Sequence, residues 1–392
     1  MRTENIKEEL SRYVVVLRSQ SAAIFESGFP VLIRNYPTPF GRVDITFYTK
    51  YENRGLSVEV PRHLLIEVLG EAPSLDAAIH SFKAAASDLV PSVSFSVNAY
   101  IEMPGVWLAF DASDGVEERD FFQVQYFDSY GQLESARVAN SDVIAQFHSC
   151  LFKAHDTERL GRAVGQYHMA LNNWEYGKEI ISIEHLFIAA EVITPIIRNR
   201  LCEQNGTDSD GLSEIFNIEK KKLDAEIRRK FIFKEDDDCY RKARLASDSF
   251  EHGYKHFATI RNLAKDSCDL AAKYLRSSII ELAVDTVEVS RELLGEKFNV
   301  PLMRGKVQKQ LRGHLLGKGP KLAKDGEIYP YMEWNTEIKE ATIDKVGIYT
   351  YTSNENLTAC LGEGIELRPK SLEMWGPPTK YKKEPIDSDN NT

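Results

Sequence analysis

Two kinds of hydrophobic periodicity, in different parts of the chain, predict an α+β fold. Up to about residue 130, apolar and polar residues alternate in short segments, as in strands with one buried face. From about residue 133 to about residue 300, apolar residues recur at the i, i+3, i+4 spacing of helices. The sequence therefore predicts an N-terminal mixed α/β module over 1–132, a helical bundle over 133–300, a basic helix with short strands over 301–379, and a disordered tail over 380–392.

In the N-terminal module, the pattern predicts a small sheet covered by one helix. Ser74 is a suitable N-cap for that helix, and Pro91 is expected to end it. Asp114 and Gly115 indicate a turn between strands. The predicted strands lie at 41–51, 56–60, 93–103, 106–113 and 120–127.

The central region predicts a bundle of four or five long helices. Pro195 should kink the third of them, and a break is expected near Gly253 because the following pattern is too long for one ordinary helix. Further strand-like pieces occur after Gly326. The helical segments are 141–154, 158–177, 178–206, 220–233, 239–253 and 254–295.

Composition limits the class of protein. The chain has 392 residues, 43% of them apolar, and 49 basic against 59 acidic side chains give a net charge of −10. These are the proportions of a globular protein rather than a disordered one. The acidic balance argues against nucleic-acid binding over the whole surface, but it permits a local basic patch.

The cellular compartment is predicted from cysteine usage and from the hydrophobic segments. The five cysteines are widely spaced and form no Cys-x-x-Cys pair, so neither a disulfide framework nor a zinc ribbon is expected. The acidic N-terminus does not resemble a signal peptide, and no uninterrupted apolar run predicts a membrane span. We expect a cytoplasmic protein without a membrane contact.

The common cofactor and hydrolase motifs do not occur in the sequence. It contains no GxxxxGK[ST], no GxGxxG that opens a helix, no HExxH and no GxSxG. Glu184, His185 and Glu191 do not have the Glu-x-x-His spacing of a di-iron bundle. No cofactor and no metal is therefore predicted.

The most suggestive pattern is RLASDSFEHG, which contains Arg244, Asp248, Glu251 and His252. Four-residue spacing places Arg244, Asp248 and His252 on one face of a helix. Such a face could hold a phosphate with Arg244, orient a neighbour with Asp248 and shuttle a proton with His252. The alternative is a surface ladder of ion pairs beside a glycine cap at Gly253.

The helical region resembles HEPN domains over about residues 159 to 294. The residues that carry the resemblance are Leu171, Trp174, Gly177, Leu186 and Glu191 in an early helix pair, and the later RLASDSFEHGY. The resemblance implies a homodimer in which arginine and histidine from two protomers meet and cleave RNA without a metal. In such a reaction the RNA 2′-hydroxyl attacks the adjacent phosphate while histidine transfers a proton and arginine steadies the phosphate charge.

The chain departs from the family pattern at this motif. HEPN members usually place four to six residues between arginine and histidine, with a polar residue after the arginine. Here seven residues separate Arg244 from His252, and Leu245 follows the arginine. A second candidate begins at Arg261, but Asp266 stands where the histidine should be.

A basic segment at 304–324 is the predicted RNA contact. Seven lysines and arginines without an acidic residue would follow a phosphate backbone, with Lys306, Lys309 and Arg312 as the contacts. The alternative is a solvated helix face. The segment contains no interleaved aromatic residues, so base stacking is not predicted there.

The resemblance thus implies a dimeric, metal-independent endoribonuclease of the kind that HEPN domains supply in bacterial defence or stress responses. Arg244 and His252 would be catalytic, and Asp248 would orient them. The N-terminal module would sense a trigger or hold a protein partner. The alternative is a non-catalytic scaffold that dimerises through the helical domain and binds a protein through the N-terminal sheet.

Overall fold

A computed structural model shows the protein as an α+β fold, which confirms the predicted class. The structure describes residues 10–52, 59–115, 117–124, 136–253, 255–284, 286–302, 308–319, 321–328, 330–343 and 348–375. The predicted tail at 380–392 lies outside these residues. The domain boundaries remain predictions.

A six-stranded antiparallel sheet forms the N-terminal part, in the order β3-β4-β5-β1-β6-β7. The predicted strands at 41–51 and 106–113 are confirmed, and residues 114 and 115 form the expected turn. The prediction at 56–60 lies largely outside the described residues. The strands of this part are β1 (Ser11–Ser19), β2 (Ala23–Ile24), β3 (Val31–Thr38), β4 (Gly41–Glu52), β5 (Val60–Ala72), β6 (Gly105–Asp111), β7 (Phe121–Gln123) and β8 (Ala136–Val138).

Helix α1 (Leu75–Val97) covers this sheet and begins as predicted, because the Ser74 hydroxyl accepts a hydrogen bond from the Ala77 N–H at 3.2 Å. The prediction that Pro91 ends it is wrong, and so is the predicted strand over 93–103. The helix continues for six residues, of which Val93, Phe95 and Val97 are buried. A helix-interior proline costs about 3 kcal/mol, whereas burying one such side chain contributes about 1.5–3 kcal/mol. Burial therefore outweighs the proline.

A helix occurs in each predicted segment of the central bundle, but the segment at 220–233 contains only a short α-helix, and the segment at 254–295 is divided into two helices. The break near Gly253 is confirmed, since Gly253 ends one helix with a φ of +67°. Near Pro195 the helix continues without interruption. The helices are α2 (Ser141–Lys153), α3 (Thr157–Asn172), α4 (Glu179–Asn205), α5 (Ser209–Ile215), α6 (Leu223–Ile227), α7 (Asp237–His252), α8 (Phe257–Ala283) and α9 (Val287–Leu293).

Helix α4 is the centre of this bundle and packs against α3, α7 and α8. It is long and apolar enough to cross a membrane, with a mean hydropathy of 1.8 over its most apolar 18 residues. However, 61% of that stretch is buried inside the protein. This is the burial expected of the core helix of a soluble protein.

One hydrophobic core joins the sheet and the bundle. Its buried residues run from Tyr13 in β1 to Leu302. Helix α1 connects the two parts of the core, because it packs against β1 and β5 on one side and against α2 and α3 on the other.

The C-terminal part consists of strands β9 (Gln308–Leu316), β10 (Tyr331–Ile343), β11 (Ile348–Cys360) and β12 (Glu366–Trp375). The strand-like pieces predicted after Gly326 are confirmed, but the predicted basic helix is wrong where the structure describes it. β9 pairs with β12, with Leu311 opposite Leu372 and Leu315 opposite Leu367. Leu311 and Leu315 are an even number of residues apart and so share one face of the strand, while Gly313 within β9 and Gly317 after it oppose a helix.

The second sheet has the order β10-β11-β8-β2. β10 and β11 form a long antiparallel pair, and β11 also pairs with β8 in antiparallel orientation. β8 in turn lies parallel to β2. The C-terminal strands are thereby attached to the N-terminal part of the chain.

Two buried arginines close the C-terminal end of α1. Arg276 donates to the carbonyls of Phe95 and Ser96, at 3.2 and 3.0 Å, and also to that of Leu293. Arg137 donates to the carbonyls of Val97 and Asn98, at 3.0 and 2.9 Å, and to that of Val300 at 3.1 Å. Helices leave their last carbonyls without a partner, and these side chains supply the missing donors.

The polar network around this helix end extends to α3. The Tyr167 hydroxyl donates to the Asn98 side-chain oxygen at 2.9 Å, and the Asn98 amide donates to the carbonyl of Phe298. Burial lowers the pKa of both arginines, but to about 10, so both stay charged at neutral pH. The negative end of the α1 dipole favours these buried charges.

Candidate functional site

Helix α7 positions the predicted Arg-Asp-His face. It begins at an N-cap, where the Asp236 carboxylate accepts from the Cys239 N–H at 3.0 Å, and it ends at Gly253. Its inward face is made of small and aromatic side chains that pack against α4 and α8. Because the helical repeat fixes which residues point inward, Arg244, Asp248 and His252 lie on the outward side.

The three side chains share that face, as predicted, but only two of them are bonded to each other. Arg244 Nε lies 3.3 Å from Asp248 Oδ2, and about half of the arginine side chain is exposed. His252 is 67% exposed, and its Nε2 lies 3.8 Å from a Glu251 carboxylate oxygen. At about 1.5 Å per residue, Arg244 and His252 stand about 12 Å apart along the helix axis. One chain therefore does not bring both to a single phosphate.

A pair of carboxyl groups lies beside this face, between α4 and α7. Ser247 donates a hydrogen bond to Glu184 Oε2 at 2.9 Å. Partial burial, the neighbouring Glu251 and the charge of Glu191 raise the pKa of Glu184 to about 7. Glu184 therefore takes up and releases a proton near neutral pH, which is the property required of a general acid or base.

Sequence reasoning missed this pair. Glu184 was considered only as a ligand of a di-iron site. Glu251 was named as part of the RLASDSFEHG pattern, and no contact with Glu184 was predicted. The contact joins two helices that are distant in sequence, and no local spacing reports it. Glu184 interrupts a largely buried stretch of α4, which is a local signal, whereas Glu251 lies among exposed residues and gives none.

The other acidic and histidine candidates of α4 do not converge. His185 Nδ1 lies 2.8 Å from Gln166 Oε1, and burial lowers the pKa of this histidine. Glu191 is 3.7 Å from the Arg228 guanidinium. Within the part of the chain that the structure describes, no group of histidine, cysteine and acidic side chains is arranged to hold a metal ion. The five cysteines are free thiols.

The second motif candidate has a different role in the structure. Arg261 stacks over the ring of Phe257, with its guanidinium carbon 5.4 Å from the ring centre. Asp266 lies 3.8 Å from the Lys242 ammonium on the neighbouring helix. Asp266 therefore belongs to an interhelical ion pair.

The predicted RNA contacts are placed only by their backbone. Lys306 lies outside the described residues. Lys309 and Arg312 lie on β9, opposite Met374 and Ser371 of β12. A spacing of three would align such residues on the predicted helix, but it does not align them on a strand.

Comparison of the chain with protein-family models, with curated proteins and with solved structures finds no match. The case for a function therefore depends on the α7 face and the adjoining carboxyl pair.

Proposed function

We propose that the protein is a dimeric, metal-independent endoribonuclease of the cytoplasm, similar to the HEPN effectors of bacterial defence and stress responses. The observation that carries the proposal is the exposed Arg244–Asp248–His252 face, next to a carboxyl group that titrates near neutral pH. A cation for phosphate and two groups for proton transfer suit cleavage of a phosphodiester.

Two protomers are needed to assemble the site. Asp248 lies four residues from Arg244 and four from His252. If two α7 helices meet antiparallel about a two-fold axis at Asp248, Arg244 of one protomer therefore lies beside His252 of the other. Two equivalent sites result. This arrangement removes the 12 Å separation, about two helical turns, that one chain imposes.

In the proposed reaction, His252 takes the proton of the RNA 2′-hydroxyl, and the 2′-oxygen attacks the adjacent phosphorus. The bond to the 5′-oxygen breaks, and that oxygen leaves with a proton from a second group. The products are a 2′,3′-cyclic phosphate and a 5′-hydroxyl. Arg244 stabilises the extra negative charge on the phosphate, and Asp248 holds Arg244 in position.

The test is cleavage of total RNA and of a tRNA pool in EDTA. We expect His252→Ala and Arg244→Ala each to lower the rate about 100-fold or more, because a proton-transfer group typically contributes that much. His155→Ala and Arg241→Ala are matched controls, since both side chains are exposed and ion-paired elsewhere. Equal cleavage by all five proteins would identify a contaminating nuclease and contradict the proposal.

Mixing the two inactive variants tests the shared site. A heterodimer of Arg244→Ala and His252→Ala chains has one intact site and one doubly altered site. After subunit exchange at equal amounts, half the dimers are mixed, so the activity should return to about a quarter of wild type. If the mixture stays inactive although exchange is demonstrated, the site lies within one protomer.

We propose that Lys306, Lys309 and Arg312 contact the RNA backbone. Each neutralised phosphate releases counterions, so replacing a contact lysine reduces the dependence of affinity on salt. Lys309→Gln and Arg312→Gln should therefore each lower the slope of log affinity against log salt by about 1. An unchanged slope in both variants would assign the segment to the solvated surface.

The alternative is a scaffold that binds a protein through the N-terminal sheet. The observation that favours it is the edge strand β7, where Phe121 is 64% exposed and Phe122 is also exposed. Exposed edge strands of this kind accept an additional strand from a partner. A wild-type protein that dimerises but leaves RNA intact, in vitro and in cells under phage challenge, would favour this alternative.

A further inference from the structure

Two exposed aromatic rings and two cations form a row at the α7–α8 end of the bundle. Phe257 and Tyr176 are 56% and 69% exposed, which is unusual for such large rings. Phe257, Arg261 and Lys265 lie on one face of α8 because they are four residues apart. Tyr176, from the α3–α4 connection, extends the row, since the Lys265 ammonium lies 5.9 Å from its ring centre.

Three carboxylates lie near the cations of this row, and one of them, Asp269, follows Lys265 by one helical turn. Glu175 is paired with Lys178 at 2.7 Å. Asp266 is paired with Lys242 on α7. Among the described residues, Arg261 and Lys265 contact the faces of aromatic rings and form no ion pair. The row therefore places two cations directly beside exposed ring surface.

We infer that Tyr176, Phe257, Arg261 and Lys265 form a stacking surface for the bases of single-stranded RNA. This inference rests on the proposed function and names its substrate class. Unpaired bases stack on aromatic rings and on guanidinium planes, while the neighbouring phosphates are held by cations. In duplex RNA the bases are stacked inside the helix, so the row should distinguish single strands from duplexes.

The position of the row suits this role. His252 ends α7, and Phe257 begins α8 after a connection of four residues. Five extended residues span at most about 18 Å, so a strand held on the row reaches the proposed catalytic face within a few nucleotides. A second copy of this chain would also cover exposed rings, but it would bring a second pair of cations to the same row, which is electrostatically unfavourable.

The experiment measures binding of fluorescent 2′-O-methyl oligouridine by anisotropy, with a duplex of the same length for comparison. The methylated probe lacks the attacking hydroxyl, so binding is measured without cleavage. Phe257→Ala and Tyr176→Ala should each weaken single-strand binding by about tenfold, since one stacked base contributes about 1–3 kcal/mol. Tyr176→Phe keeps the ring and should bind normally. Phe152→Ala removes another exposed ring, on α2, and is the matched control.

Three outcomes would overturn the inference. They are equal weakening by Phe152→Ala, unchanged binding in both ring variants, and conversion of the dimer to a monomer by Phe257→Ala in sedimentation, which would make the row a subunit contact. The proposed nuclease activity is judged separately by EDTA-resistant cleavage. Binding without cleavage contradicts that activity alone, whereas cleavage with unchanged binding in the ring variants contradicts the stacking surface alone.

Discussion

The C-terminal end of α1 and the outward face of α7 both carry arginine and other polar side chains, but they use them in opposite ways. At α1, Arg137 and Arg276 are buried, and together they donate hydrogen bonds to six main-chain carbonyls. At α7, Arg244 and His252 are exposed, and a glycine ends the helix. Buried arginines bonded to main chain hold a fold together, whereas exposed ones remain accessible to a ligand.

The comparison also explains why residue type alone does not identify a site. Arg276 lies in an apolar helical stretch and Arg137 in a short strand, and nothing local distinguishes them from surface arginines. Their role is set by carbonyls that come from α1, far away in sequence. Four substitutions test this contrast, from the largest expected effect on stability to the smallest.

Arg276→Leu should cause the largest loss of stability. The substitution leaves the carbonyls of Phe95, Ser96 and Leu293 buried without this donor, and each unsatisfied buried group costs about 1–3 kcal/mol. We expect the free energy of unfolding to fall by about 4 kcal/mol in urea denaturation. The control is Lys273→Leu, at an exposed position of the same helix. If both variants are equally stable, the α1 end is not held by Arg276.

Tyr167→Phe tests the polar network around the same helix end. The ring is kept, but the fully buried Asn98 loses the hydroxyl that donates to its side-chain oxygen. The free energy of unfolding should fall by about 1–2 kcal/mol. Tyr176→Phe removes a hydroxyl from an exposed ring and should leave unfolding unchanged. Equal effects of the two substitutions would argue that the buried hydrogen bond is unimportant.

Glu184→Gln should alter the pH dependence of stability near the α7 face. Because the folded protein raises the pKa of Glu184 from its usual 4.5 to about 7, the folded state holds this proton more tightly than the unfolded state. Its contribution is fully present below pH 4.5 and is lost as the pH rises through 7. As the pH rises from 5 to 8, the melting temperature of the wild type should therefore fall relative to that of Glu184→Gln.

The difference between the two proteins is the quantity to measure, because other groups titrate in the same window. Burial lowers the pKa of His168 to about 4, so its contribution is lost as the pH falls from 6.5, opposite in sign to that of Glu184. Subtracting the curve of the variant from that of the wild type removes the contribution of His168. Glu203→Gln, at an exposed position of α4, is the control variant. A flat difference curve for Glu184→Gln would contradict the raised pKa of Glu184.

Asp248→Ala should have the smallest effect on stability. It removes an exposed pair with Arg244, and exposed pairs of this spacing contribute about 0.3–0.5 kcal/mol. The loss measured in urea should stay below about 0.5 kcal/mol. A loss above about 1 kcal/mol would make this pair structural and remove the contrast between the end of α1 and the face of α7.

The parts of the fold that sequence predicted are those with local causes. The Ser74 cap, the Gly253 break and the strand over 41–51 each depend on neighbouring residues, and the structure has all three. The helix past Pro91 and the strand β9 were missed because both depend on packing. Val93, Phe95 and Val97 are buried by distant elements, and β9 is fixed by its pairing with β12.

The candidate site divides in the same way. The shared face of Arg244, Asp248 and His252 follows from four-residue spacing and was predictable. The contact of Glu184 with Ser247 and Glu251, and that of Tyr176 with Lys265, join separate helices or a helix and a loop. Such contacts depend on how the helices cross, and periodicity does not specify that crossing.

The second sheet has a consequence for synthesis of the chain. β2 and β8 pair with each other, but β11 is translated about 210 residues after β8. At about 5–20 residues per second, the nascent chain waits about 10–40 seconds for that partner strand. The core that ends at Leu302 is translated before β11. A chain truncated before residue 348 would therefore contain the core residues but lack β11. The unpaired edge of β8 would then be available for pairing with other nascent chains.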